Sequence, residues 1–206
     1  PKYISTYHGL VTVQNKPLDL KLKDFKTVKN GSVKTSLTLA ALEGDRSIGG
    51  DQCLIYNKTK ETFTPLKSDL RYGRNFFNSS ITVNNKNFIN RVPNSINNLG
   101  FDIVQMDVPN KNNELISNGT TSILLRLKSK TDRFHLFFAA FKTALEEDFY
   151  RDKKDSLTFK KRMPKLLVKA IEKELTIDKN TNIIWMSPEY YLVTHVFSIQ
   201  NLSKTL

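Results

Sequence analysis

A chain of 206 residues that is 39% hydrophobic and 10% aromatic, with thirteen Phe, has the apolar content to close a core. This excludes an intrinsically disordered chain and fits a single domain over 1–206. Thirty-two Lys and Arg against 20 Asp and Glu leave a formal charge of +12, which points to nucleic acid, anionic lipid headgroups or acidic proteins as partners. The lone Cys53 excludes an internal disulfide and a cysteine-based zinc site, and no apolar run approaches the roughly 20 residues of a membrane-spanning helix. The expected location is intracellular, cytoplasmic or nuclear, or virion-associated if the protein is viral. The first residue is Pro1 and not Met, so an upstream segment is expected to be missing from view. Five Asn-x-Ser/Thr sequons, at Asn30, Asn57, Asn78, Asn118 and Asn201, are what an Asn-rich chain produces by chance.

In chain order, Tyr3 to Val13 is rich in β-branched and aromatic residues. Asn15-Lys16-Pro17 and the alternation Leu18, Leu20, Leu22 follow, a pattern that predicts a β-hairpin. Lys21 and Lys23 fall on the face opposite the leucines. Asn30-Gly31 predicts a tight turn into a strand from Val33 to Ala41. Short strands are expected at Cys53 to Tyr56, Ile81 to Val83, Phe88 to Val92, Phe101 to Val108 and Ser122 to Leu127, with Asn-rich loops at Asn84 to Asn98 and Pro109 to Glu114. Phe134, Phe137, Phe138, Phe141, Ala144, Leu145 and Phe149 recur at helical spacing, with Asp132 as a candidate N-cap. A second helix is expected from Pro164 to about Leu175, and strands return at Asn182 to Met186 and Tyr190 to Ile199. The expected fold is α+β: a β-rich sheet, sandwich or partly open barrel with two helices in the C-terminal half.

No segment carries a catalytic signature. Gly44 to Asp51 is glycine-rich but lacks the ending of a P-loop and reads as an inter-strand loop. His8, His135 and His195 lie apart in apolar surroundings without metal-ligand spacing, and Cys53 is expected in a core strand with no local base. No cofactor is expected. Asp24-Phe25-Lys26 and Asp152-Lys153-Lys154 are fragments of the acid-plus-lysine pattern of metal nucleases, and Asp102 and Asp107 flank a strand that could complete one. A metal-dependent nuclease is therefore the leading enzymatic alternative.

Positive charge is the strongest signal. From Arg151 to Lys173 the chain carries Lys153, Lys154, Lys160, Lys161, Arg162, Lys165, Lys169 and Lys173 against only Asp152, Asp155 and Glu172. Lysines recur every four residues from Lys161, a stripe on a helix face away from Leu167 and Ile171. Arg71, Tyr72 and Arg74 place guanidinium groups around an aromatic ring, a pairing suited to phosphate contact and base stacking, with burial of the adjacent Phe76 and Phe77 in the core as the competing interpretation. Lys16, Lys21, Lys23, Lys26 and Lys29 form a third cluster. The reading that results is a non-enzymatic basic protein contacting the backbone of RNA or single-stranded nucleic acid through Arg151 to Lys173, helped by Arg71 and Arg74. A viral structural, matrix or nucleoprotein-associated factor would fit that class. The alternative is an assembly protein whose basic face meets an acidic protein or an anionic membrane, with self-association through aromatic strand surfaces.

Overall fold

A computed structural model describes residues 2–144, 181–187 and 190–199, the last two spans as backbone. The strands are β1 (Lys2–Gln14), β2 (Leu18–Lys23), β3 (Thr35–Leu42), β4 (Gln52–Asn57), β5 (Thr62–Pro65), β6 (Ile81–Val83), β7 (Lys86–Asn87), β8 (Asp102–Asp107), β9 (Ser122–Lys128), β10 (Arg133–Ala144), β11 (Thr181–Ser187) and β12 (Tyr190–Ile199). Eight of them form one sheet in the order β11-β12-β1-β10-β3-β8-β6-β7, and four form a second in the order β2-β9-β4-β5. Side chains alternate in and out along a strand, so each strand offers one apolar face. Tyr3, Tyr7, Val11 and Val13 of β1, Leu37, Leu39 and Ala41 of β3, and Val104 and Met106 of β8 meet Leu20 and Leu22 of β2, Cys53 and Ile55 of β4, and Ile123, Leu125 and Leu127 of β9 in one buried cluster. Two sheets closing on a shared core make a sandwich.

The α+β expectation is corrected. Among the described residues the only helical element is a single 3-10 turn at Lys111–Asn113, and none is long and apolar enough to cross a membrane. The segment expected to begin a helix at Phe134 is strand β10, paired with β1 on one side and β3 on the other. Its helical spacing has a physical source. Leu136 pairs with Ala41 and Phe138 with Ala40, so β10 carries one extra residue at Phe137 against β3. The buried positions pass from Phe134 and Leu136 to Ala139, Phe141 and Thr143 across that point. A bulge that flips inward parity turns a period of two into intervals of three and four. Register shifts also fall at the same level in β1 against β10 and β12, so the irregularity runs across three adjacent strands. The expected helix from Pro164 to Leu175 lies outside the described residues.

The predicted first hairpin is also corrected. β1 joins the large sheet while β2 pairs with β9 in the small one, and only a Gln14–Lys16 bridge links the turn. Asn15-Lys16-Pro17 thus carries the chain from one sheet to the other. Phe88 to Val92, expected as a strand, belongs to a loop. β5 and the short β7, which falls within the expected Asn84 to Asn98 loop, are not among the expected strands, while β3, β4, β6, β8, β9, β11 and β12 fall close to where expected. Cys53 is buried in β4, where burial pushes its thiol up.

The link between β5 and β6 is held by a buried ion pair. Arg71, fully buried, donates from Nη1 to Asp102 Oδ1 at 2.6 Å and to the Phe76 carbonyl at 2.9 Å. Its Nη2 donates to the Ser80 and Ile103 carbonyls, and Nε to Thr82 Oγ1. All five guanidinium N–H bonds are thereby used. Asp102 Oδ1 also accepts from the amides of Asn78 and Ser80, and Oδ2 from that of Ser79. Burial pushes both groups toward their neutral forms, and the ion pair with the surrounding hydrogen bonds opposes that shift. Gly44 completes the arrangement, because a Cβ there would lie 1.8 Å from Asp102 Oδ2. Removing one member of a buried pair strands the other charge, at a cost of about 3–5 kcal/mol. Asp102→Asn and Arg71→Met are each expected to lower unfolding free energy by about that amount in urea titrations, and Gly44→Ala to destabilise by the clash.

Candidate functional site

The start of β3 opens a cleft. Its walls come from Lys2 of β1, Lys142 of β10, Thr35 and Ser36 of β3, and Asp107 of β8, with Lys34 and Asn110 at the rim and a volume of about 260 Å³. Strand pairing brings these residues together: Ser36 lies opposite both Lys142 and Asp107, so a lysine, a hydroxyl and a carboxylate form a row across three strands. Lys2 stands at the start of β1, opposite Ala144. Asn110 braces the rim by donating from Nδ2 to the Val33 and Ile116 carbonyls and accepting from the Leu115 and Ile116 amides.

Three lysines meet one carboxylate in this cleft. Among the described residues none of the three takes part in a salt bridge, whereas elsewhere Lys60 is matched by Glu114 and Arg126 by Asp19. The Asp19 carboxyl is held low by the paired hydrogen bonds from Arg126, and the Arg126 guanidinium lies over the Phe63 ring at 3.9 Å. The outer face of the small sheet therefore neutralises its arginine, while the cleft keeps a local excess of positive charge. Beneath it Thr35 and Thr143 face each other across β3 and β10, and neither buried hydroxyl has a hydrogen-bond partner. A pocket with clustered ammonium groups is suited to a small or polymeric anion, phosphate above all.

The residues expected from sequence to contact nucleic acid divide into three groups. Lys153, Lys154, Lys160, Lys161, Arg162, Lys165, Lys169 and Lys173 lie outside the described residues. Arg71 is corrected: it is a structural cation inside the fold, with every donor committed, and presents nothing to a ligand. Tyr72 is 63% exposed and Arg74 is exposed, but they sit beside the loop after β3, where the Arg74 carbonyl accepts from Gly50 and Asn75 donates to the Arg46 carbonyl. That is the far end of β3 from the cleft. Phe76 and Phe77 are core residues, in edge contact with each other. Lys21 and Lys23 are exposed beside buried Leu20 and Leu22.

The nuclease geometry does not assemble as expected. Asp102 and Asp107 stand at opposite ends of β8, about 17 Å apart along a strand, one buried against Arg71 and the other exposed at the cleft. His8 is exposed, His135 shares a hydrogen bond with Thr12, and the His195 side chain lies outside the described residues. Among the described residues no group of three His, Cys, Asp or Glu side chains is placed to hold a metal ion. Acids do converge elsewhere. A hydrogen bond with Asp132 raises the Asp45 carboxyl, with burial and the charges of Asp132 and Glu43 adding to it. Burial, with the charges of Asp132, Asp102 and Asp45 added, pushes Asp51 up to about 7 against a hydrogen bond with Ser129.

Asp51 carries a pH signature. Its folded form holds a proton that the unfolded chain releases near pH 4, so the associated stability is complete below about pH 4 and is lost as pH rises through about 7. Melting temperature is expected to fall between those limits. Asp51→Asn, which keeps the neutral shape, should flatten that fall and gain on the order of 2 kcal/mol above pH 7, with little gain at pH 4.

The lysines of the cleft escaped sequence reading because Lys2, Lys34 and Lys142 come from distant segments and share no motif. Compared with known proteins, the chain matches no family model, no curated protein and no solved structure.

Proposed function

We propose that this protein binds the phosphate backbone of RNA or single-stranded nucleic acid, with the cleft of Lys2, Lys34 and Lys142 taking a backbone phosphate. The observation that carries this reading is the meeting of three lysines, outside any salt bridge among the described residues, with a single carboxylate in one concave site. An anion there replaces mutual repulsion of the ammonium groups with attraction. Ser36 is bonded to Gln105 Nε2 and Asn110 is saturated by backbone, so both shape the site and leave the lysines to attract the ligand. The net charge of +12 supplies the long-range field that draws a polyanion in.

The basic stretch Arg151 to Lys173 begins seven residues after Ala144, the end of the strand that carries Lys142. In this proposal Lys153, Lys154, Lys160, Lys161, Arg162, Lys165, Lys169 and Lys173 add sequence-independent phosphate contacts to that of the cleft. Tyr72 and Arg74 would serve a strand long enough to pass along the sandwich, with Tyr72 stacking on an unpaired base. Arg71 has no part in it.

Anisotropy titration of a labelled single-stranded RNA between about 50 and 200 mM salt tests this reading. Affinity should fall steeply with salt. Replacing Lys2, Lys34 and Lys142 together by Ala should weaken binding across sequences and reduce the log-log salt slope by about 2. An unchanged slope and affinity in the triple variant would remove the cleft from the binding surface, and a salt-independent wild type would reject polyanion binding altogether.

A further inference from the structure

The loop from Phe88 to Phe101, between β7 and β8, is built inside out. Arg91 sits at its centre, donating from Nη1 to the Pro93 carbonyl at 2.8 Å, from Nε to that of Phe88, and from Nη2 to the Ser95 carbonyl and Asn98 Oδ1. Asn98 Nδ2 donates to the Ile96 carbonyl, and Asn97 Oδ1 accepts from the Leu99 amide and the Ser79 hydroxyl. Ser79 then fastens the loop to the body, its carbonyl accepting from the Asn98 amide and its hydroxyl from the Gly100 amide. Arg91 and Asn98 thus turn their polar groups onto the loop's own backbone while the apolar side chains face outward. Val92 is 100% and Leu99 92% exposed, with Phe88, Ile89 and Ile96 about half exposed beside them.

Scattered exposed aliphatics are ordinary, but five on one internally braced loop form a patch that calls for a partner. Two features select its chemistry. Four carbonyls of the loop, those of Phe88, Pro93, Ser95 and Ile96, are satisfied within the loop itself, so the segment can leave water without stranding them. The sequence from Leu70 to Phe101 contains no Asp or Glu, and with Arg71 neutralised by Asp102 its net positive charge is carried by Arg74, Lys86 and Arg91. A stretch without acids that carries these cations complements negative headgroups.

We infer that the Phe88 to Phe101 loop inserts its aliphatic tips, Val92 and Leu99 foremost, into the interfacial layer of an anionic membrane. The loop lies at the far end of β3 from the lysine cleft: Gly44, just past β3, donates to the Gly100 carbonyl, and the Phe101 ring packs on Phe137. About 25 Å of strand separates the two sites, so a membrane-docked molecule leaves its cleft free. This inference stands on the loop alone and does not require the cleft to bind nucleic acid.

Flotation with phosphatidylcholine vesicles, with and without phosphatidylserine and in the absence of nucleic acid, tests it. The protein is expected to float with phosphatidylserine vesicles, and Val92→Asp with Leu99→Asp to lower the bound fraction by at least about tenfold while melting temperature and RNA affinity hold. As a second readout, V92W should shift its emission to the blue on adding the same vesicles, beyond any change from native Trp185. The inference is overturned if wild type stays unbound, if it binds neutral vesicles equally well, or if the double variant floats like wild type. A V92W emission that ignores the vesicles overturns it as well, and so does a double variant that only dissociates an oligomer.

Discussion

The Arg71–Asp102 pair is the constraint on which one end of the sandwich depends. A guanidinium and a carboxylate buried together persist only if each remaining donor and lone pair finds a partner. That requirement draws in the carbonyls of Phe76, Ser80 and Ile103, the hydroxyl of Thr82 and the amides of Asn78, Ser79 and Ser80. A long connection with little regular structure is thereby fixed against β6 and β8. Gly44 is required because the carboxylate occupies the space of a side chain. Ser79, held by Asp102 through its amide, holds the apolar loop through its carbonyl and hydroxyl, so this exposed loop is anchored to a fully buried charge.

Along β3 the two ends of the fold differ in chemistry. At its start, strand pairing gathers lysines from β1 and β10 and from the loop ahead of β3, with one aspartate from β8. At its end, Arg91 spends its donors on backbone carbonyls and frees the aliphatic side chains to face outward. Three other acids, Asp45, Asp51 and Asp132, lie close to one another; the hydrogen bond with Asp132 raises Asp45, and burial, with the neighbouring charges added, raises Asp51. Charge is thus sorted by the fold, and the composition alone gives only its sum.

Much of the strand pattern was legible because a period of two with β-branched and aromatic residues leaves few other options. β6, β8 and β9 lie where alternation predicts them, and the split between Leu20, Leu22 and Lys21, Lys23 follows from the pleat. The misreading of Phe134 to Phe141 as helix has one cause, the extra residue at Phe137, which imposes helical intervals on a strand. The first turn looked like a hairpin because sequence records that the chain reverses but not which sheet receives it. Arg71 looked like a ligand contact because its partner, Asp102, is thirty-one residues away. The cleft was invisible for the same reason, since it exists only where strand ends meet.

Amide hydrogen exchange at Asn78, Ser79 and Ser80 tests the central claim most directly. These three residues lie in a connection or at its edge, yet each amide donates to the buried Asp102 carboxylate. Protection comparable to that of core residues in β3 and β10, lost in Asp102→Asn, is the predicted result. Exchange at the rate of an open loop in the wild-type protein would contradict it.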